Sequence, residues 1–90
     1  MDFEWDPKKA ADNLREHGVS FDEAASIFGD ALAMTYADPE HSTLEERLIT
    51  FGRSLENRIL VVSHTDRSPR IRIISARRMT RRERKIYEEG

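Results

Sequence analysis

Cysteine is absent from this 90-residue sequence, which excludes disulfide bonds, thiolate metal sites and cysteine nucleophiles. Aromatic residues make up only 8% of the chain, so binding of single-stranded nucleic acid by serial base stacking has little support. The four glycines form no phosphate-binding loop. No apolar run approaches the roughly 18 residues of a membrane-spanning helix. We therefore expect one small cytoplasmic domain without a membrane partner, with room for a thin core and a surface site.

Charge, by contrast, is plentiful and unevenly distributed. Charged residues make up 36% of the chain, while the net formal charge is only −2. Residues 1–46 contain 3 basic and 12 acidic residues, whereas residues 47–90 contain 12 basic and 5 acidic residues. All but one of the bases in the second half are arginine. This asymmetry predicts a surface that binds an anion; the alternative is that the two halves neutralise each other across the fold.

Capping signals and apolar spacing predict an α+β domain. Helix starts are indicated at Asp6-Pro7, Ser20–Glu23 and Thr80–Glu83, where a capping side chain precedes a helix-favouring turn. The helices are expected to end near residues 17, 28 and 89. Period-two patterns predict strands at residues 31–37, 47–52, 59–65 and 70–76, with a further short strand at residues 3–5. Because the later strands are joined by short connections, we expect an antiparallel sheet of about four strands.

The last predicted strand carries an arginine pattern. Because alternate side chains of a strand share one face, Arg70, Arg72 and Ile74 are expected to point away from Ser75 and the intervening isoleucines. Guanidinium groups on such a face favour phosphate, since each planar group can bind two phosphate oxygens at once. More arginines follow at Arg77, Arg78, Arg81, Arg82 and Arg84. The strand and the helix after it therefore predict a nucleic-acid-binding surface.

Cleavage of RNA through its 2′-hydroxyl needs proton transfer beside such a surface. His41 and His64 can exchange a proton near neutral pH, and Glu45 and Glu83 are alternative bases or orienting groups. A purely structural role is the alternative for each histidine taken alone. Because the histidines and carboxylates lack zinc-site spacing, we expect no metal and no cofactor. Magnesium on surface carboxylates stays open by spacing, although most acids lie in the half without the arginines.

Further segments complete a pattern over nearly the whole chain. They are Phe3–Lys9, Asn13, Glu16–Ala24, Phe28–Asp30, Asp38, His41-Ser42, Glu45–Arg47, Gly52–Ser54, Arg70–Arg77, Arg81–Arg84 and Tyr87. This pattern resembles the BrnT family of type II toxins. The resemblance implies a RelE-like fold and metal-independent RNA cleavage that halts translation. It also implies a BrnA-like ribbon-helix-helix antitoxin in a heterotetramer that contacts DNA only through the antitoxin.

The resemblance and the arginine pattern together suggest individual roles. Arg72 and Arg77 are predicted to bind phosphate and to stabilise the charge of the transition state, while His41 or His64 transfers the proton. The predicted catalytic residues are His41, Glu45, Arg47, His64, Arg72, Arg77 and Glu83. The predicted RNA-binding residues are Arg70, Arg78, Arg81, Arg82 and Arg84. Two alternatives remain open: a nucleic-acid-binding module without catalysis, and an interaction protein whose charged halves mediate assembly.

Overall fold

The computed structural model describes residues 1–42 and 44–89, which fold into an α+β domain as predicted. The α-helices in this part of the chain are α1 (Pro7–His17), α2 (Phe21–Ser26) and α3 (Arg81–Glu89). The strands are β1 (Asp2–Glu4), β2 (Met34–Ala37), β3 (Leu48–Arg53), β4 (Ile59–Arg67) and β5 (Arg70–Arg78). Short 3-10 turns lie at Ile27–Gly29 and Pro39–His41. None of the helices within the described ranges is long and apolar enough to cross a membrane.

The N-terminal helices begin where their caps predict. The side chain of Asp6 accepts a hydrogen bond of 2.8 Å from the amide two residues on, and Ser20 Oγ accepts one of 3.0 Å from the amide three residues on. Helix α1 ends at Gly18, whose φ of 67° lies in the left-handed region. Glycine adopts that region without a clash, because it has no Cβ. These local signals place α1 and α2 in sequence before any tertiary contact is considered.

The sheet has the strand order β1-β5-β4-β3-β2. Strands β2 to β5 form the predicted antiparallel series. The expectation of about four antiparallel strands is nevertheless wrong, since the described residues form five strands and β1 lies parallel to β5. Phe3 pairs with Ile71, a partner so distant in sequence that reasoning from short connections could not find it. The sheet is therefore mixed, and β1 brings N-terminal side chains beside the arginine strand.

Helices α1 and α2 cover one face of the sheet, which we call the helical face. Its core contains Leu60, Val62, Ile73 and Ala76 from the strands, packed with Val19, Phe21, Ala24 and Ile27. The opposite face of β5 carries Arg70, Arg72, Ser75 and Arg77, and we call it the open face. Apolar burial against the helices is the main driving force that holds the sheet in place. The open face is thus free to carry polar side chains.

A β-bulge interrupts β5 at Ile74. Ser63 pairs with Ser75, whereas the next residue of β4, His64, pairs with Ile73, so Ile74 has no partner on β4. An extra residue in one strand reverses the alternation of the side chains beyond it. The two parts of β5 on either side of Ile74 therefore alternate in opposite phase.

The bulge decides which side chains share the open face. Arg70 and Arg72 precede it, Ser75 and Arg77 follow it, and the register places all four on the same side of the sheet. Strict alternation from Arg70 places Ser75 on the other face, and the bulge is the reason that this prediction is wrong. Without the extra residue, Arg77 would point into the helical layer.

The side chain of Asn13 completes the outer edge of β5. Strand β1 covers only Arg70–Arg72 of this edge. Further along, the Ala76 amide donates to Asn13 Oδ1 at 3.0 Å, and Asn13 Nδ2 donates to the carbonyl oxygens of Ala76 at 2.8 Å and Val19 at 3.0 Å. Asn13 is only 6% exposed, so its carboxamide takes the place of a paired strand in a site that water does not reach.

A buried ion pair joins the acidic and basic halves. Arg58 Nε donates to Glu23 Oε2 at 2.9 Å, and its Nη2 donates to Glu23 Oε1. The Arg58 guanidinium lowers the pKa of Glu23 against the opposing effect of burial. In the described part of the chain, three further ion pairs between the halves join Arg70 and Arg72 to Glu4 and Arg67 to Glu45. The neutralisation that the charge pattern left open is therefore present in part.

Candidate functional site

Arginines gather at one end of the open face. Arg67 and Arg70 lie directly opposite each other on β4 and β5 at the turn that joins these strands. Arg72 follows two residues later on the same face, and Arg47 directly precedes β3. We call this set the arginine end: Arg47, Arg67, Arg70 and Arg72. Arg67 was absent from the predicted site, although its position beside the predicted turn is the signal that could have found it.

Glu4 on β1 orients the arginines of β5. Arg72 Nη1 donates to Glu4 Oε2 at 2.8 Å, and Arg70 Nη1 lies 4.0 Å from Glu4 Oε1. The parallel pairing of β1 with β5 sets Glu4 opposite Arg72. A single carboxylate cannot saturate the five donor groups of each guanidinium. Arg72 is therefore held in place while some of its N–H groups stay available to an anion.

A surface depression of about 320 Å³ lies beside the arginine end, lined by His41, Leu44, Glu45, Arg47 and Arg67. We call it the His41 cleft. The structure thus brings together three of the predicted catalytic residues, which are His41, Glu45 and Arg47. Arg67 Nη2 lies 3.3 Å from Glu45 Oε2, and both side chains are nearly half exposed. An exposed pair of this kind contributes little to stability, so a phosphate can replace the carboxylate on Arg67.

His41 is oriented by a neighbouring carboxylate that the sequence prediction did not include. The ring Nδ1 lies 2.9 Å from Asp38 Oδ2 and donates to it in the tautomer that suits an ionised carboxylate. The side chain of His41 is 61% exposed, which leaves Nε2 as the nitrogen that exchanges a proton with a ligand. Side chains three residues apart meet in a 3-10 turn. The Asp38–His41 spacing is therefore a local signal for this dyad.

The loop that carries His41 is closed at its base by Ser42. Ser42 Oγ donates to the Asp38 carbonyl at 2.6 Å and accepts from the Arg47 amide at 2.9 Å. The Asp38 amide also donates to the Arg47 carbonyl at 2.8 Å. These bonds fix the start of the loop against its end. The loop consequently holds both His41 and Arg47 at the cleft.

His64 lies in the core and not at an accessible strand end. It is 4% exposed, its Nε2 lies 2.7 Å from Thr50 Oγ1, and its ring meets the Phe28 ring edge-on at 4.9 Å. Its Nδ1 has no hydrogen-bond partner in the described part of the chain. Burial lowers the pKa of His64 to about 4. At this buried position the His64 ring does not reach the open face, so the structure does not bring it together with His41.

The burial of His64 predicts a pH-dependent stability. His64 binds a proton near its ordinary pKa of 6.5 in the unfolded chain but only near pH 4 in the folded protein. The contribution of His64 to the free energy of unfolding is therefore fully present above pH 6.5 and is lost as the pH drops towards 4. This loss amounts to at most about 3 kcal/mol. Urea unfolding across this range measures the slope. His64→Gln should flatten it, and equal slopes for variant and wild type would contradict the prediction.

Glu83 and Arg77 form an ion pair near the end of β5 that is far from the arginine end. Arg77 Nη1 and Nη2 donate to Glu83 Oε1 and Oε2 at 2.8 and 2.9 Å. The Arg77 guanidinium lowers the pKa of Glu83 to about 2, so the carboxylate is a poor proton acceptor at neutral pH. Glu83 also accepts from the Thr80 amide at 3.0 Å, which caps α3. Glu83 is thus engaged by Arg77 and by the cap of α3, and the pair holds α3 to the sheet.

The remaining predicted RNA-binding arginines lie at the far end of β5 or on α3. Arg78, Arg81, Arg82 and Arg84 are exposed there, and Arg78 lies about 25 Å from Arg70 along the strand. The structure therefore divides the predicted basic surface into two groups. Among residues 1–42 and 44–89, no three histidine, aspartate or glutamate side chains come together in a way that could hold a metal ion.

Comparison with known proteins places the chain in a family. A family model described as the ribonuclease toxin BrnT of type II toxin–antitoxin systems matches residues 5–83, whereas no curated protein sequence matches the chain. The crystal structure of the Brucella abortus ribonuclease toxin BrnT superimposes with a TM-score of 0.70 at 20% identity, covering 90% of this chain and 99% of that one. That likeness shows a shared fold. Because the family model covers most of its length, the chain belongs to the BrnT family of ribonuclease toxins of type II toxin–antitoxin systems.

Proposed function

We propose that this toxin is a metal-independent, RelE-like endoribonuclease that cleaves RNA at the His41 cleft and thereby inhibits translation in the cytoplasm. One observation carries the proposal: an oriented histidine and two arginines line the same depression, beside the arginine end. Histidine supplies proton transfer, and guanidinium groups supply the positive charge that a phosphate needs in the transition state. The cleft therefore contains the groups for RNA cleavage without a metal ion.

Binding begins with the RNA backbone at the arginine end. Arg70 and Arg72 attract phosphates over the sheet, and Arg47 and Arg67 take the scissile phosphate in the cleft. Glu45 moves away from Arg67 when the phosphate arrives. The ion pair between them is weak, because both side chains are partly exposed to solvent. Electrostatic attraction of this kind does not depend on the RNA sequence, and it weakens as the salt concentration rises.

The reaction follows from the orientation of His41. His41 Nε2 takes the proton of the 2′-hydroxyl, and the 2′-oxygen then attacks the adjacent phosphorus. The bond from phosphorus to the 5′-oxygen breaks, and this oxygen takes a proton from solvent. Asp38 stabilises the imidazolium while Arg47 and Arg67 stabilise the charge on the phosphate oxygens. The products are a 2′,3′-cyclic phosphate and a 5′-hydroxyl.

A type II toxin has a protein antitoxin as its partner. We propose a BrnA-like antitoxin with a ribbon-helix-helix part, assembled with the toxin as a heterotetramer and providing its only contact with DNA. The exposed arginines support an antitoxin that covers the arginine end, because it must exclude RNA from the same surface. Binding to the folded toxin would also stabilise so small a domain.

Purified protein and a single-stranded RNA test the proposal. Wild type is expected to cleave with a chelator present, and Arg47→Ala with Arg67→Ala to lower the rate by about 10²-fold or more. Lys8→Ala with Lys9→Ala removes as much charge from exposed positions on α1 and should cleave like wild type. Uncleaved RNA bound by folded wild type would favour the non-catalytic binding module, and loss of cleavage with the chelator would contradict a metal-independent reaction.

A further inference from the structure

A row of side chains crosses the open face next to the arginine end. Tyr36 on β2 pairs with Ile49 on β3, Ile49 pairs with Ser63 on β4, and Ser63 pairs with Ser75 on β5. Directly paired residues place their side chains on the same side of a sheet. We call the first three of these residues the Tyr36 row. It presents an aromatic ring, an aliphatic side chain and a hydroxyl in order across the sheet.

Tyr36 is exposed although it is large and aromatic. Its exposed fraction is 49%, and its ring rests against Phe51 with centroids 5.7 Å apart at an angle of 55°. Phe51 lies two residues from Ile49 on the same open face and is half-buried, so it supports Tyr36 from the side. Within residues 1–42 and 44–89, the Tyr36 hydroxyl makes only a long contact of 3.5 Å with Met34 Sδ. One face of a fixed aromatic ring is therefore left to solvent.

The Tyr36 row lies two residues along the strands from the proposed cleavage site. Asp38, which orients His41, follows Tyr36 by two residues on the same edge of the sheet. Arg47 precedes Ile49 by two residues, and its carbonyl accepts from the Asp38 amide. Two residues of a strand span about 7 Å. A nucleotide whose phosphate lies in the His41 cleft can thus place a base over Tyr36.

The chemistry of the row fits a nucleobase. An aromatic ring binds the flat face of any base by stacking, and Ile49 extends that apolar surface. The Ser63 hydroxyl can both donate and accept a hydrogen bond, so it suits the polar edge of a base. The neighbouring arginines supply the complementary charge for the backbone. A duplex does not fit, because its bases stack on one another and turn away from a flat surface.

We propose that the Tyr36 row binds one unpaired base of single-stranded RNA beside the scissile phosphate, with the base stacked on Tyr36 and its edge at Ser63. The inference rests on the proposed function for the identity of the ligand and adds a base subsite to it. A single stacked base agrees with a chain poor in aromatic residues, since no series of rings is required. The subsite makes single-stranded RNA the preferred substrate class.

Binding of a deoxyribose oligonucleotide tests the subsite separately from cleavage, since the probe lacks the 2′-hydroxyl. We expect Tyr36→Leu to weaken binding by about 10-fold, whereas Tyr36→Phe keeps the ring and stays within about 2-fold. An abasic nucleotide in the probe, at the position that would lie over the Tyr36 row, should weaken binding by wild type. It should have little further effect on binding by Tyr36→Leu. Circular dichroism of each variant checks that the fold is intact.

The outcomes separate the two proposals. Binding that depends on Tyr36, in a protein that leaves RNA uncleaved, supports the subsite and contradicts the catalytic proposal. Cleavage by wild type with equal binding by wild type and Tyr36→Leu overturns the subsite and would make the row a protein-contact surface. Failure of the wild-type protein to bind the probe would also overturn the subsite.

Discussion

Replacing His41 with glutamine is expected to lower the rate of RNA cleavage by about 10²-fold or more. The cleft would keep its arginines and therefore its affinity for phosphate, but it would lose the group that removes the 2′-hydroxyl proton. Single-turnover cleavage of a labelled RNA measures the chemical step, and binding of the deoxyribose probe measures affinity. We expect the rate to fall while the probe binds as in wild type.

Two further variants sharpen this result. His17→Gln removes an exposed histidine at the end of α1 and should leave the rate unchanged. Asp38→Asn tests orientation, because an amide can donate to Nδ1 and thereby favour the wrong tautomer of His41. It should lower the rate while His41 remains present. A rate for His41→Gln equal to that of wild type, in folded protein, would remove His41 from the mechanism.

Replacing Asn13 with alanine is expected to lower the free energy of unfolding by about 3 kcal/mol or more. The change removes the bonds to Val19 and Ala76 and leaves buried backbone groups without partners, each at about 1–3 kcal/mol. Total stabilities of single domains are about 5–15 kcal/mol, so the loss is a large fraction. Urea unfolding at neutral pH measures it directly.

Matched variants identify the cause. Glu16→Ala changes an exposed residue of the same helix and should shift the free energy of unfolding by no more than about 0.5 kcal/mol. Asn13→Asp keeps an acceptor for the Ala76 amide but loses both donated bonds, so it should also destabilise. A loss below about 1 kcal/mol for Asn13→Ala would mean that the edge of β5 does not depend on this side chain.

The predictions that succeeded depended on neighbours in sequence. Asp6, Ser20 and Gly18 act through amides and carbonyls within one turn of themselves, so their roles could be read without a fold. His41, Glu45 and Arg47 are close in sequence, and one closed loop brings them to a single cleft. Family membership, similarly, depends on the order of residues along the chain.

The remaining features of the site and the sheet were decided by the tertiary structure, because they depend on contacts between residues that are distant in sequence. The parallel pairing of β1 sets Glu4 on Arg72, and α1 packs so that Asn13 replaces a strand beside Ala76. Composition contains no information about either contact. These long-range contacts also packed α1 and α2 on one face of the sheet and left the arginine end on the other.

The sequence by itself determined the helices, the antiparallel series, the arginine content and the family. Only the tertiary structure decided which charged and titratable groups face a ligand. A period of two assumes a regular pleat, and the single extra residue Ile74 reverses it, which moves Arg77 to the open face. The predicted strand ended one residue after His64, but β4 continues past it, and Phe28 packs against its buried ring. Both outcomes depend on register and packing, which no local pattern specifies.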